Sequence, residues 1–203
     1  MIKAVVFDIG GVLVNLDLDG CIQAFRENLG FERITELLDP YHQKGVYGDM
    51  EAGLVSADAF RAEVLRGSRP GSKPEDVDRS MYALLAGMEA DTVETVKELA
   101  GRYPLYLLSN NNPISMRHIL RMFRDYGIDP DTTFREQFIS CEMKLLKPSA
   151  QIYEEAVARI GFPAGEILFI DDNDTNVQAA RKVGLQGRVY VPGTRLSALL
   201  SDL

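Results

Sequence analysis

Two strand-like runs, Lys3–Phe7, apolar after its leading lysine, and Ile167–Ile170, set the framework of this chain, because each stops abruptly at aspartate. Short runs of this kind, rich in Val, Ile, Leu and Phe, are the mark of strands buried on both faces of a sheet. Shorter apolar stretches at Leu105–Leu108, Phe138–Ile139 and Arg188–Val191 are read as further strands. Between them the period changes to that of a helix, over Thr92–Gly101, Ile114–Tyr126, Ala150–Ile160 and Asn176–Val183. Asp91 is placed to start the first of these, and Gly101, Gly127, Gly161 and Gly184 are placed to end the four in the left-handed conformation. Strand and helix alternate, which predicts a doubly wound α/β fold with a mainly parallel sheet, formed by residues 1–15 and 88–203.

Residues 16–87 follow another pattern. Amphipathic helix signals recur at Leu18–Asn28, Ile34–Gly45, Ala57–Leu65 and Glu75–Leu85, with no strong strand signal among them. Ser56 suits the N-cap of the third helix and Pro74 the first turn of the fourth. Arg66–Lys73, with two glycines, a proline and two serines, is the most linker-like stretch of the chain. The expected arrangement is a small helical insertion placed after the first strand.

Composition narrows the function classes. A hydrophobic fraction of 46% is ordinary for a folded enzyme, whereas a net charge of -8 opposes general binding to nucleic acid or an anionic membrane. No apolar stretch approaches the ~20 residues of a membrane span, and no signal-peptide pattern follows Lys3, so a cytoplasmic location is expected. Cys21 and Cys141 match neither a disulfide framework nor a zinc spacing and are read as small buried side chains.

The chemistry lies at strand ends. Ligands of open parallel sheets bind beyond the carboxyl ends of the strands. There the chain would deliver Asp8, then Asp171 and Asp172, which would repel one another without a cation between them. An acidic, Mg²⁺-binding site at the top of the sheet is the first expectation. Ser109 and Asn110 end a second strand, and Lys147 precedes Pro148 just before a helix. Asp8-Ile9-Gly10-Gly11 turns over two glycines that could bring backbone amides toward an anion, but the spacing is not that of a dinucleotide-binding loop.

The order Asp8, Ser109, Lys147, Asp171-Asp172 resembles the four motifs of the haloacid dehalogenase superfamily, over nearly the whole chain, and the helical insertion resembles that superfamily's small cap. Within it the likeness is to the subgroup of bacterial glucose-1-phosphate phosphatases and the N-terminal phosphatase domain of soluble epoxide hydrolases. The resemblance implies that Asp8 is a nucleophile forming an aspartyl phosphate, that Ser109 and Asn110 bind substrate, and that Lys147 neutralises charge on the nucleophile and phosphoryl group. It also implies a Mg²⁺ site formed by Asp8, the Gly10 carbonyl and Asp172, with Asp171 acting through water or orienting the site. A Mg²⁺-dependent phosphomonoesterase for a small phosphorylated metabolite, with sugar phosphates as the leading example, is the function implied.

One position departs from that pattern. Superfamily phosphatases usually carry an aspartate general acid two residues after the nucleophile, where this chain has Gly10. Such a group contributes about 10²–10⁴-fold in rate. Gly10 therefore implies slow turnover, a substrate with a good leaving group, or a different proton donor. Asp17 is a candidate donor, although Asp17 and Asp19 read more simply as solvated residues at a helix start. Two alternative functions are a phosphate- or ligand-binding regulatory module with little turnover and, less favoured, a 2-haloacid dehalogenase. His42 and His118 are assigned surface or structural roles, and Lys144 competes with Lys147 for the phosphate role, which the following Pro148 assigns to Lys147 by the family pattern. Asn110 to Asn112 either position substrate or cap the helix at Pro113, and Asn173 and Asn176 either support the metal site or serve as loop and cap residues.

Overall fold

The computed structural model describes residues 1–38 and 44–203, so His42 and part of the predicted helix Ile34–Gly45 lie outside the described residues. Strand β1 (Ala4–Phe7) is followed by the helices α1 (Leu18–Leu29), α2 (Ile34–Leu37), α3 (Gly45–Glu51), α4 (Ala57–Arg66) and α5 (Pro74–Tyr82). The alternating part then runs α6 (Ala90–Ala100), β2 (Leu105–Ser109), α7 (Pro113–Asp125), α8 (Pro130–Thr133), β3 (Phe134–Ile139), α9 (Ser140–Met143) and α10 (Ala150–Ile160). It closes with β4 (Ile167–Asp171), α11 (Asp174–Val183), β5 (Gln186–Val189) and α12 (Leu196–Leu199).

The strands form one parallel sheet in the order β3-β2-β1-β4-β5. Alternation along the central strands divides the core into two layers. Val5, Phe7, Leu105, Leu107, Leu168 and Ile170 face α6, α7 and α12, while Val6, Leu108, Ile167 and Phe169 face α10 and α11. Both faces are covered, which is why these strands read as continuous apolar runs. The edge strands break that rule. In β3, Arg135 is exposed and Glu136 and Gln137 are half-buried, so its polar first half escaped the apolar criterion and only Phe138–Ile139 was predicted. Polar side chains also discourage pairing with a further strand at such an edge. β5 begins two residues earlier than predicted, at Gln186.

The predicted helices are present with shifted ends. α6 starts at Ala90 after Glu89, and Asp91 lies within its first turn, where its carboxylate binds the Ser197 and Arg195 side chains. Gly127, Gly161 and Gly184 have positive φ as expected, but Gly101 remains right-handed while Arg102 and Tyr103 bond back to Leu99. Ser56 caps α4 through the Ala59 N–H at 3.1 Å, and Pro74 opens α5. The single pattern predicted over Ile34–Gly45 corresponds instead to the short α2, with Gly45 opening the separate helix α3.

Helices α1 to α5 surround a core of their own. Phe25, Phe60 and Tyr47 are fully buried there, each contributing about 1.5–3 kcal/mol. Ile114 of α7 completes this core from the sheet side, and the Tyr82 ring stacks on His118 at 4.3 Å across the same seam. The chain leaves and re-enters the sheet through two paired segments. Asn15 N–H donates to the Gly87 carbonyl at 2.8 Å, Asp17 N–H to the Leu84 carbonyl at 2.9 Å, and Leu16 opposes Leu85.

Candidate active site

The topology dictates where a site forms. From the central β1 the chain proceeds to β2 and β3 on one side, then returns to build β4 and β5 on the other. A crevice opens at such a switch point, beyond the carboxyl ends of the strands. Phe7 is in register with both Leu107 and Ile170, and the Asp8 N–H donates to the Ile170 carbonyl at 2.8 Å. Asp8 therefore stands level with Asp171, and Ser109 is the last residue of β2.

Lys147 joins the two carboxylates. Its Nζ lies 2.9 Å from Asp8 Oδ1 and 2.6 Å from Asp171 Oδ2, with the Phe169 ring 5.6 Å away. Burial favours the neutral amine, but Asp171 and Asp8 outweigh it and hold the Lys147 pKa above its ordinary value. Asp8 is pushed up to about 7, chiefly by burial, against the Lys147 charge and with Asp171 and Asp172 adding repulsion.

The two adjacent aspartates differ in their engagement. Asp171 is fully buried and accepts from Lys147, from the Asn173 N–H at 2.8 Å and from Asn176 Nδ2 at 3.1 Å. Asp172 is half-buried, and its carboxylate accepts no hydrogen bond from another described residue. Gly11 passes close beside it: φ there is +74°, and an added Cβ would sit 2.3 Å from Asp172 Oδ2. Only glycine meets both demands. One oxygen from each of Asp8, Asp171 and Asp172 can be chosen so that all three lie within 4.8 Å of one another.

The surrounding amides are mostly committed to scaffolding. Asn110 donates from Nδ2 to the Lys147 carbonyl and accepts the Lys147 N–H through Oδ1, both at 2.9 Å, so it fixes the Lys147 loop while also lining the site. Asn112 caps α7 by accepting the Ile114 and Ser115 N–H groups, and Asn173 caps α11 through the Thr175 N–H. Asn176 instead serves Asp171. Asp17 is exposed and caps α1 through the Gly20 N–H at 2.8 Å. Lys144 ends α9 with φ of 55° and does not line the cavity. Burial holds the Cys21 thiol up at about 12 and the half-buried Cys141 thiol at about 11, so neither is a ready nucleophile.

A cavity of about 450 Å³ opens above these groups. Asp8, Gly10, Ser109, Asn110, Lys147 and Asp172 form its floor, and Tyr47, Asp49, Glu51, Leu84 and Leu85 line it from the helical insertion. Asp171 lies behind the cavity lining. Sequence reasoning missed Glu51 and Ser140. The buried Ser140 receives the Asn111 N–H at 3.0 Å and donates to the Glu51 carbonyl at 2.6 Å, linking the insertion to the loop after β2. Glu51 sits in no strand-end motif, Ser140 follows the strand β3 outside the motifs that carried the prediction, and their link to each other exists only in three dimensions.

The chain is 30% identical over 189 residues to D-ribitol-5-phosphate phosphatase of Bacteroides thetaiotaomicron, covering 92% of this chain and 90% of that protein. A wild-type HAD family enzyme from the same organism, solved in complex with magnesium and inorganic phosphate, superposes with a TM-score of 0.87 at 27% identity over 98% of this chain and 99% of that one. A predicted HAD-like family hydrolase from Porphyromonas gingivalis gives a TM-score of 0.89 at 32% identity, covering 100% and 97% of the two chains. Residues 2–184 match the haloacid dehalogenase-like hydrolases, and the chain belongs to that family.

Proposed function

We propose that this chain is a Mg²⁺-dependent phosphomonoesterase acting on a small phosphorylated metabolite through an aspartyl phosphate on Asp8. The observation that carries the reading is the meeting of Asp8, Lys147 and an unengaged Asp172 on the floor of one cavity. Three buried or half-buried carboxylates against one lysine leave excess negative charge, and an all-oxygen donor set suits a hard divalent cation. Asp8, the Gly10 carbonyl and Asp172 would hold Mg²⁺, while Asp171, whose oxygens already accept four hydrogen bonds, would orient Lys147. When bound, the cation supplies charge neutralisation at the phosphoryl oxygens.

The residues then divide the work. An Asp8 carboxylate oxygen attacks phosphorus and the bond to the leaving oxygen breaks, with Lys147 countering charge on both nucleophile and phosphoryl group. The Ser109 hydroxyl donates to a phosphoryl oxygen. A water then attacks the aspartyl phosphate, releasing phosphate and restoring Asp8. Residues 16–87 act as a cap over this floor, and a cavity of this size fits a small metabolite. The phosphatase relative named for D-ribitol 5-phosphate supports sugar and polyol phosphates as the substrate class. Hydrolytic dehalogenation fits less well, since the free Asp172 carboxylate would repel an anionic haloacid.

The test is phosphate release across sugar, polyol and acyl phosphates with Mg²⁺ and with a chelator. Release that requires Mg²⁺ and vanishes in Asp8→Asn, with the fold retained, is expected. Near-normal release by a folded Asp8→Asn variant would reject the covalent mechanism.

A further inference from the structure

The floor of the site lacks a carboxylic acid at the position two residues after Asp8. Gly10 has no side chain, and a Cβ added there would rest 3.3 Å from Leu16 Cδ1. The nearest alternative in sequence, Asp17, is spent on capping α1 outside the cavity. The acidic groups lining the cavity are Asp8, Asp49, Glu51 and Asp172. Asp8 and Asp172 belong to the charged floor, and Asp49 is exposed. Glu51 stands on α3, away from the charged floor, and unlike Asp49 it is half-buried, while its carboxylate forms no hydrogen bond or ion pair with another described residue.

The segment carrying Glu51 is also fastened to the sheet. Ser140 Oγ donates to the Glu51 carbonyl at 2.6 Å and receives the Asn111 N–H at 3.0 Å. Two residues on, Gly53 has φ of +68°, and an added Cβ would come within 2.3 Å of the Cys141 carbonyl oxygen. The last turn of α3 thus lies directly on α9, beside the loop that follows Ser109. Glu51 therefore lines the cavity from the helical insertion, on a segment fastened to the sheet, while Asp8, Ser109 and Lys147 line it from the floor.

We propose that Glu51 is the general acid and base that replaces the missing side chain at Gly10, an inference that rests on the phosphomonoesterase reading. As Asp8 Oδ bonds to phosphorus and the bond from phosphorus to the leaving oxygen breaks, the electron pair stays on that oxygen, which takes the proton from Glu51 Oε. In the second half-reaction the Glu51 carboxylate takes a proton from water while the water oxygen bonds to phosphorus and the bond to Asp8 breaks. Glu51 and Asp8 return to their starting states, and one phosphate ester and one water have become an alcohol and phosphate. The environment agrees with this role: burial, with Asp8 adding and Lys147 opposing, pushes the Glu51 carboxyl up to about 8. Tyr47 and Cys141 are the other titratable groups that sense it, and both stay neutral near pH 7. A carboxyl protonated at neutral pH is the form a donor requires.

The experiment compares native protein, Glu51→Gln and Glu51→Asp on a primary alkyl phosphate (glycerol 3-phosphate) and an activated ester (4-nitrophenyl phosphate). Intact-mass detection of phosphoenzyme and Mg²⁺-dependent Tm serve as further readouts. Glu51→Gln should lose about 10²–10⁴-fold in kcat on the alkyl phosphate, with KM little changed. On 4-nitrophenyl phosphate its first-turnover burst should be nearly native, and phosphoenzyme should accumulate because the attacking water has lost its base. Glu51→Asp should retain part of the alkyl-phosphate activity, since it keeps the acid on a shorter stem. Equal losses of the first-turnover rate on both esters without phosphoenzyme accumulation, or a change confined to KM, would overturn the proposal and leave Glu51 a structural or substrate-contacting residue. If native protein formed no phosphoenzyme and released phosphate from neither ester, the phosphomonoesterase reading itself would fall, an outcome distinct from those two.

Discussion

Replacing Asp172 by Asn should make the metal-free protein more stable while abolishing its stabilisation by Mg²⁺. The side chain accepts no hydrogen bond from another described residue, so an amide of the same shape gives up little on that account. What disappears is repulsion. Oxygens of Asp8, Asp171 and Asp172 lie within 4.8 Å of one another, and at an effective dielectric constant near 20 each such pair costs about 3 kcal/mol. Lys147, already shared by Asp8 and Asp171, offsets part of the two pairs that involve Asp172. A net gain of about 2 kcal/mol, or ~5 °C in Tm for a chain of this length, is expected on removing the charge. The effect also has a defined pH sign. Asp172 has a carboxyl pKa raised by burial and by Asp171, so its repulsion is absent in acid and develops as pH rises through that value. Thermal unfolding at pH 5 and pH 8, with chelator and with saturating Mg²⁺, measures all of this. Native protein should gain Tm with Mg²⁺ and the variant should not, while the chelated variant should exceed chelated native protein at pH 8. A chelated variant less stable than native protein that still responded to Mg²⁺ would refute the reasoning.

Three further outcomes follow from the geometry. Asn110→Ala removes both hydrogen bonds to the Lys147 main chain and should lower kcat for phosphate release about 10–100-fold with the fold intact, as steady-state kinetics and circular dichroism would reveal. Gly53→Ala sets a Cβ against the Cys141 carbonyl in a left-handed conformation and should cost about 1–3 kcal/mol in denaturant unfolding, whereas Gly71→Ala, with open space around its Cβ, should cost less. Asp91 is held down at about 2 by the Ser197 hydroxyl and N–H and by Arg195, so Asp91→Ala should lose about 1 kcal/mol after allowance for solvent screening. That loss should be complete above pH ~4 and vanish as pH falls through ~2 in urea titrations.

The legible parts of this fold are those where burial speaks through residue type alone. β1 and β4 lie inside the sheet with both faces covered, so AVVF and ILFI declare themselves and bring Asp8 and Asp171 with them. β3 is half polar because one edge is free, and Arg135, Glu136 and Gln137 separate Phe134 from the apolar pair that ends the strand. Gly101 shows the limit of local reasoning about helix ends: glycine permits a left-handed stop, but the turn into Tyr103 uses right-handed geometry. At the site, motif order brought out the charged floor, because those residues stand at strand ends, and Lys147, which precedes Pro148 just before α10. Glu51 escaped for the opposite reason. It belongs to α3, and its approach to the floor depends on Ser140 and on a glycine contact 88 residues away in sequence. Of the two glycines after Asp8, it is Gly11 that takes the positive φ.

The pairing of Asn15 with Gly87 and of Asp17 with Leu84 has a consequence for how this chain could change over evolutionary time. An insertion whose two ends meet at one point of the sheet is an exchangeable cartridge, since removing or replacing it asks nothing of the strands beneath. In most such arrangements a swap would alter selectivity and leave the reaction intact. Here the cartridge also carries Glu51, so a chimera given a foreign insertion would lose proton transfer together with recognition. An acid restored at Gly10 would uncouple the two, and a backbone there without positive φ, with only the flexible Leu16 side chain in the way, leaves that route open.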